Sequence, residues 1–224
     1  MARLVLWDID HTLIDTRGVG RELSAEAFER TTSRPMREQA KIDGITEPVI
    51  FRETAKIHGL TTDRADFERF AAALTEGHLQ RAADLRERGH ALSGAAAALD
   101  ALASVGVLQT VVSGNIRPVA EIKLQVFGLD QHILWDLGAY GEDHDIRAEL
   151  VRLSLQRANV TAADTVLVGD TPADVEGAHT NDVRVIAVAS GRSDETVLRE
   201  AGAETVLPDL RDTHLFTKLV RGDE

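Results

Sequence analysis

Arg3-Leu4-Val5-Leu6-Trp7-Asp8-Ile9-Asp10-His11-Thr12 decides the reading of the whole chain. An apolar run ends abruptly in two aspartates. A short, continuous apolar run of this kind reads as a strand buried on both faces, as in parallel sheets. Side chains alternate along a strand, so Asp8 and Asp10 point the same way. Two carboxylates held together repel unless a cation or a proton lies between them. An isolated Asp-x-Asp is ordinarily a pair of surface acids in a turn. Here the pair closes an apolar strand, and open α/β sheets bind ligands beyond the carboxyl ends of their strands.

Further strand-like runs follow at Leu108–Ser113, Ile133–Leu137, Thr165–Asp170, Val183–Ala189 and Thr205–Leu207. Helical patterns separate them at Gly94–Val105, Pro118–Phe127, Arg147–Ala158, Pro172–Asn181, Asp194–Glu200 and Leu210–Val220. This alternation predicts an α/β fold, a doubly wound, Rossmann-like parallel sheet. One interval breaks the rhythm. From Thr16 to Gly89 no strand is evident, and a strand-to-helix connection needs far fewer residues. Val19, Leu23 and Ala27 recur at helical spacing, Pro48–His58 is bounded by Thr46 and Gly59, and Phe67, Phe70, Ala71, Leu74 and Leu85 form a stripe. The expected organisation is an α/β core built from residues 1–15 and 90–224, with a helical domain at 16–89.

Composition narrows the function. The 224 residues carry 25 Lys+Arg against 37 Asp+Glu, a net charge of −12. That balance disfavours a nucleic-acid or anionic-membrane partner, which would need a basic face. It leaves room for a small anionic substrate, because a bound divalent cation reverses the local field. There are no cysteines, so disulfides, thiolate catalysis and zinc–thiolate sites are all excluded. No two histidines stand four apart, which leaves a helical zinc motif without support. The opening Met1–Asp10 is too short and too acidic for a signal peptide, and the expected location is cytoplasmic.

Three other segments carry chemistry. Val166-Leu167-Val168-Gly169-Asp170-Thr171-Pro172-Ala173-Asp174 repeats the theme of an apolar strand ending in acid. Thr171 is a natural N-cap, with Pro172 at the first helical position and Asp174 suited to the helix dipole. Asp170 has no such explanation. Together with Asp8 and Asp10, these acids form a hard oxygen donor set that suits Mg²⁺. Val111-Val112-Ser113-Gly114-Asn115 offers a hydroxyl, a flexible glycine and an amide at a strand end, as hydrogen-bond donors for an oxyanion. A cation should complete the site. Arg147 opens a helix against its dipole and is favoured over Lys123, the other candidate. Gly18-Val19-Gly20 is no dinucleotide fingerprint, since Leu23 stands where the third glycine belongs.

In this order and spacing, the segments resemble the haloacid dehalogenase-like hydrolase superfamily. Its pattern is D-x-D-x-[TV] on the first strand, Ser or Thr on the second, Lys or Arg further on, and G-D-x-x-x-D on the fourth. The resemblance spans nearly the whole chain, with the helical segment as a cap domain, and is nearest to the capped phosphatases that include phosphoglycolate phosphatase. It departs in two places. His11 stands where the family commonly has glycine, and the third motif is Arg147 without proline-rich surroundings.

The resemblance implies a phosphoric monoester hydrolase acting on a small phosphorylated metabolite through an aspartyl-phosphate, with phosphoglycolate the first candidate. Asp8 would be the nucleophile and Asp10 the acid and base. Asp8, the backbone carbonyl of Asp10, and Asp170 would hold Mg²⁺, with Asp174 direct or one shell out. Ser113 and Arg147 would stabilise the phosphoryl oxygens. Thr12, Gly114 and Asn115 are expected at the substrate, with Arg17 and Thr46 reaching its far end from the cap. The alternatives are a phosphomutase, a haloacid dehalogenase, which typically lacks the second aspartate, and a non-catalytic phosphate- or metal-binding regulator.

Overall fold

The computed structural model describes residues 2–222. Met1, Asp223 and Glu224, at the outer ends of the expected core segments, lie outside the described residues. Five strands form one wholly parallel sheet: β1 (Leu4–Trp7), β4 (Leu108–Val111), β5 (Thr165–Gly169), β6 (Arg184–Val188) and β7 (Thr205–Leu207). Two short strands, β2 (Ile14–Asp15) and β3 (His90–Ala91), pair antiparallel as a separate ribbon. The sheet order is β4-β1-β5-β6-β7. The chain leaves β1 for one side of it and returns on the other, which makes the carboxyl end of β1 the switch point where such sheets bind ligands. Register aligns the ends: Trp7 stands opposite Val111 on one side and Val168 on the other. Asp8, Ser113 and Asp170 therefore emerge at one edge.

The unbroken apolar run in β1 follows from the two-sided winding. Val5 and Trp7 face one layer, packing with α5 (Ala95–Ser104), α6 (Arg117–Val126) and α10 (Thr213–Arg221) through Ala98, Leu102, Ala120, Leu124 and Phe216. Leu4 and Leu6 face the other, packing with α7 (Arg147–Ala158) and α8 (Pro172–Thr180) through Leu150, Val151, Val175 and Ala178. Trp7 also donates through Nε1 to Gln109 Oε1 at 3.1 Å, so its one polar atom is satisfied in the core. The last connecting helix, α9 (Glu195–Glu200), is capped by the Asp194 carboxylate.

Between β2 and β3 lie α1 (Val19–Thr32), α2 (Glu47–Ile57), α3 (Arg64–Gln80) and α4 (Ala82–Arg88). The stripe read from Phe67 to Leu85 is two helices, with Arg81 at the junction. These helices enclose their own cluster around Phe28, Phe51, Phe70 and Leu74. Its other members include Ile116 and Val119, from the start of α6.

Two expectations need correction. Ile133–Leu137 is not a strand: Trp135–Leu137 forms a 3₁₀ turn. The segment still follows the sheet edge, with Leu134 N–H donating to Gln109 O and Ala139 N–H to Val111 O. Between these contacts the Tyr140 hydroxyl bonds Trp135 O at 2.6 Å, and Gly138 N–H bonds the same carbonyl, so that carbonyl turns away from strand pairing. The last helix begins at Thr213 rather than Leu210, because the Asp212 carboxylate caps it by accepting from Leu215 N–H.

Gly94 fixes the start of α5. Its φ is +86°, and a Cβ there would collide with the Leu210 carbonyl. Gly94→Ala should therefore lower unfolding stability by about 2 kcal/mol or more, since a left-handed alanine and a backbone clash both oppose it. A lower urea midpoint at unchanged slope is the expected observation.

Candidate active site

The loop after β1 turns sharply. His11 has φ +66°, the conformation that glycine takes most easily, and Ser190 Oγ steadies it by donating to His11 O at 2.7 Å. The turn places Thr12 beneath the acids, where its hydroxyl lies 3.3 Å from Asp8 Oδ2 and 3.2 Å from Asp170 Oδ1. Thr12 is buried and supports the carboxylates; it is not among the residues lining the cavity. At the end of β5, Thr171 and Asp174 form a full capping box for α8. Asp174 Oδ2 is bound by the Thr171 hydroxyl at 2.6 Å, and Oδ1 accepts from Arg147.

Both candidate cations reach the site, each to a different acid. Arg147, 6% exposed at its side chain, donates through Nη2 to Asp8 Oδ1 at 2.8 Å as well as to Asp174. Lys123, equally buried, bonds both oxygens of Asp10 at 2.8 Å and Asn115 Oδ1 at 2.7 Å. Asn115 Nδ2 donates in turn to Asp10 Oδ2 and Ser113 Oγ. Asp8 is thus tied to the α7–α8 layer, and Asp10 to α6.

The charges respond to this arrangement. Burial raises the Asp8 carboxyl, and Asp174 adds to the rise against the pull of Arg147. Burial likewise raises Asp170, with the charges of Asp8 and Asp174 in support. Burial also disfavours the charge on Asp10, but Lys123 and the hydrogen bonds from Asn115 overcome it, and its pKa falls below the usual range. Asp8, Asp170 and Asp174 bring oxygens within 4.8 Å of one another. A Cβ on Gly191 would strike Asp170, so the glycine leaves that carboxylate its room. Such a donor set, short of positive charge and made of hard oxygens, fits a divalent cation such as Mg²⁺.

A cavity of about 240 Å³ gathers Asp8, Asp10, Ser113, Gly114, Asn115, Arg147 and Asp170. A larger cleft, about 900 Å³, opens between α2, α3 and α6 but contains none of these groups. Two expected contacts do not face the site. Arg17 is 63% exposed at its side chain and pairs with Asp15 at 3.1 Å. Thr46 is buried and directs its hydroxyl to Asp145 O. Among the residues that do line the cavity from the helical side are Arg21, Ile45, Glu47 and His78. Sequence reasoning missed the last two. Glu47 resembles an ordinary first-turn acid favoured by the dipole, and His78 an ordinary helical histidine.

Residues 5–179 match the haloacid dehalogenase-like hydrolase family, and residues 147–213 match a second, HAD-hydrolase-like, description. The chain belongs to the haloacid dehalogenase-like hydrolases. No curated protein sequence matches it. Among solved structures it is similar to a hydrolase from Pseudomonas syringae, at TM-score 0.72 and 18% identity, covering 99% of each chain. A protein assigned as a β-phosphoglucomutase from Bacteroides vulgatus aligns at TM-score 0.70 and 16% identity, over 99% of this chain and 89% of that one. One assigned as a phosphoglycolate phosphatase from Haemophilus somnus aligns at 0.66 and 15%, over 96% and 98%. At these identities the likeness is one of fold. No helix among the described residues is long and apolar enough to cross a membrane.

Glu47 offers a direct check on the electrostatics. Burial, with Asp10 adding to it against Lys123, pushes its carboxyl up to about 7. A raised acid binds its proton more tightly when folded, so stability falls as pH rises from the unfolded value near 4.5 toward 7, then levels. Glu47→Gln should be more stable than the wild type by about 2 kcal/mol at pH 8, with the gap closing toward pH 4.5. Thermal melts across that range would show it.

Proposed function

We propose that this hydrolase cleaves small phosphomonoesters by covalent catalysis at Asp8, with residues 16–89 acting as a cap over the site. The observation that carries the reading is the division of labour at the end of β1: Asp8 lies against Arg147 and near two further acids, while Asp10 is held separately by Lys123 and Asn115. A nucleophile and an acid–base group need such different surroundings.

In this reading Arg147 and the Ser113–Asn115 turn bind the phosphoryl oxygens. Asp8 attacks phosphorus in line, and the bond to the leaving oxygen breaks as Asp10 delivers a proton to it. Water then attacks the aspartyl-phosphate, Asp10 takes the water's proton, and the Asp8–phosphorus bond breaks to release phosphate and restore the carboxylate. The Lys123 contact holds Asp10 ionised, the form that activates water. Proton delivery to the leaving group requires that contact to loosen as the ester binds. Asp8, the Asp10 backbone carbonyl and Asp170 would hold Mg²⁺, with Asp174 bracing Arg147 and α8. When bound, the ion would neutralise charge on the phosphoryl oxygens. The partner is a small phosphorylated metabolite. The reading calls for neither a membrane nor a nucleic-acid partner, in keeping with the net charge of −12, and for a cytoplasmic setting.

Mg²⁺-dependent phosphate release from a phosphomonoester panel tests this. Asp8→Asn should lose on the order of 10⁴-fold or more in turnover while keeping its fold. Mg²⁺ should raise the melting temperature of the wild type by several degrees, about 2–4 °C per kcal/mol of binding linkage, and Asp170→Asn should abolish the shift. Retained turnover in Asp8→Asn would sink the nucleophile assignment. Appearance of an isomerised sugar phosphate in place of free phosphate would make the enzyme a mutase, with the aspartyl ester passed to a hydroxyl.

Lys123→Met removes the cation that favours the Asp10 carboxylate, so the Asp10 pKa rises. The acid limb of the pH–rate profile, which reports ionisation of Asp10, should then move to higher pH. An unmoved pH–rate profile would separate Lys123 from Asp10 function.

A further inference from the structure

Among the described residues, three buried side-chain atoms have no hydrogen-bond partner: Arg147 Nε, Glu47 Oε2 and His78 Nε2. All three residues line the cavity that holds Asp8 and Asp10. An unmet buried polar atom costs about 1–3 kcal/mol, so native proteins rarely gather them without a use. Arg147 Nε is a donor and belongs with the phosphoryl oxygens. Glu47 and His78 stand on the opposite, helical wall, and no step of the proposed reaction uses them.

Both present lone pairs. The His78 ring is 2% exposed, and its Nδ1 lies 2.8 Å from Leu74 O. A carbonyl only accepts, so Nδ1 carries the hydrogen, and the neutral ring leaves Nε2 as an acceptor. Burial, with Lys123 nearby, holds the ring neutral by lowering its pKa to about 4. Glu47 begins α2, where its N–H is tied to Gly114 O at 2.9 Å, and above pH 7, once its raised carboxyl is ionised, its oxygens accept only.

The adjacent donors are spent. The three ammonium hydrogens of Lys123 serve Asp10 Oδ1, Asp10 Oδ2 and Asn115 Oδ1, and the Asn115 amide nitrogen serves Asp10 and Ser113. Apart from water, the donors for Glu47 Oε2 and His78 Nε2 come from the ligand. We propose that Glu47 and His78 form a hydrogen-bond-accepting wall that selects short phosphomonoesters whose leaving group carries hydroxyl donors over those ending in a carboxylate. The proposal rests on the reading above that the phosphoryl group lies against Asp8. A hydroxyl satisfies the wall, whereas a carboxylate leaves it unpaired and adds negative charge beside it. The volume, about 240 Å³, lies below the range of drug-sized sites and suits a short chain. Arg21 and Arg192, the cations at the rim, are both exposed, and Arg192 already pairs with Asp43, so a carboxylate gains little from either.

Binding to the Asp8→Asn protein in Mg²⁺ at pH 8, where Glu47 is ionised, tests the wall without turnover. By calorimetry, glycerol 3-phosphate should bind at least about tenfold tighter than phosphoglycolate, and Glu47→Gln or His78→Phe placed in that background should each cut the ratio to about threefold or less. Circular dichroism would confirm that each variant is folded. Equal or reversed affinities, or a ratio that survives both substitutions, would overturn the proposal. Phosphate release by the wild type is scored separately. If the binding preference holds and no ester is hydrolysed, the wall stands and the phosphatase reading falls. If p-nitrophenyl phosphate is hydrolysed and the preference is absent, the reverse is true.

Discussion

Carboxylates crowded where β1 and β5 end are the constraint around which the site is built. Asp8, Asp170 and Asp174 converge in a place largely closed to water, with the part-exposed Asp10 beside them, and their repulsion must be met by cations drawn from distant parts of the chain. Arg147 starts a helix against the dipole, a placement that local preference disfavours; its guanidinium makes contacts with Asp8 and Asp174 that outweigh this. Lys123 gives up solvent for Asp10. Gly169 and Gly191 each stand where a side chain would strike one of these acids. The sheet supplies the rigid frame that holds like charges this close.

Much of this was legible in the sequence because it is local. Apolar runs ending in acid mark β1 and β5, and the spacing of Thr171, Pro172 and Asp174 is a helix start whatever its neighbours. The helical content of residues 16–89 showed in spacing alone. What failed depends on contacts across the chain. Ile133–Leu137 has strand composition, but the Tyr140 hydroxyl and Gly138 claim the carbonyl of Trp135 and turn the segment aside. Choosing between Arg147 and Lys123 posed a false alternative, since each member of the Asp-x-Asp pair requires its own cation. Glu47 and His78 carry no pattern that separates them from ordinary helix residues. Their role comes only from what buries them.

The helical layer and the sheet meet through backbone. A Cβ at Gly114 would strike the Ile45 carbonyl, and one at Gly141 would strike Gly114 itself. With Glu47 N–H bound to Gly114 O, the segment that brings Glu47 to the cavity rests on the same turn that presents Ser113 and Asn115. The side chains facing the two ends of a substrate thus share one mechanical support. Small residues at 114 and 141 are a requirement of that fit.

Helix α6 carries a different implication. Its Ala120 and Leu124 belong to the core of the sheet, while Val119 and the preceding Ile116 are buried in the cluster of the helical layer. Lys123 sits on the same helix. A rigid swing of α1–α4 must therefore either shear the Ile116 and Val119 contacts or carry α6 with it, and the second course pulls on Asp10. Asp8 is anchored through Arg147 at the start of α7, and the helical layer reaches that end at Asp145, through Thr46 and Arg52. The two carboxylates stand one residue apart just past a single strand, yet each meets the helical layer by its own route, Asp10 through α6 and Asp8 through the segment that leads into α7.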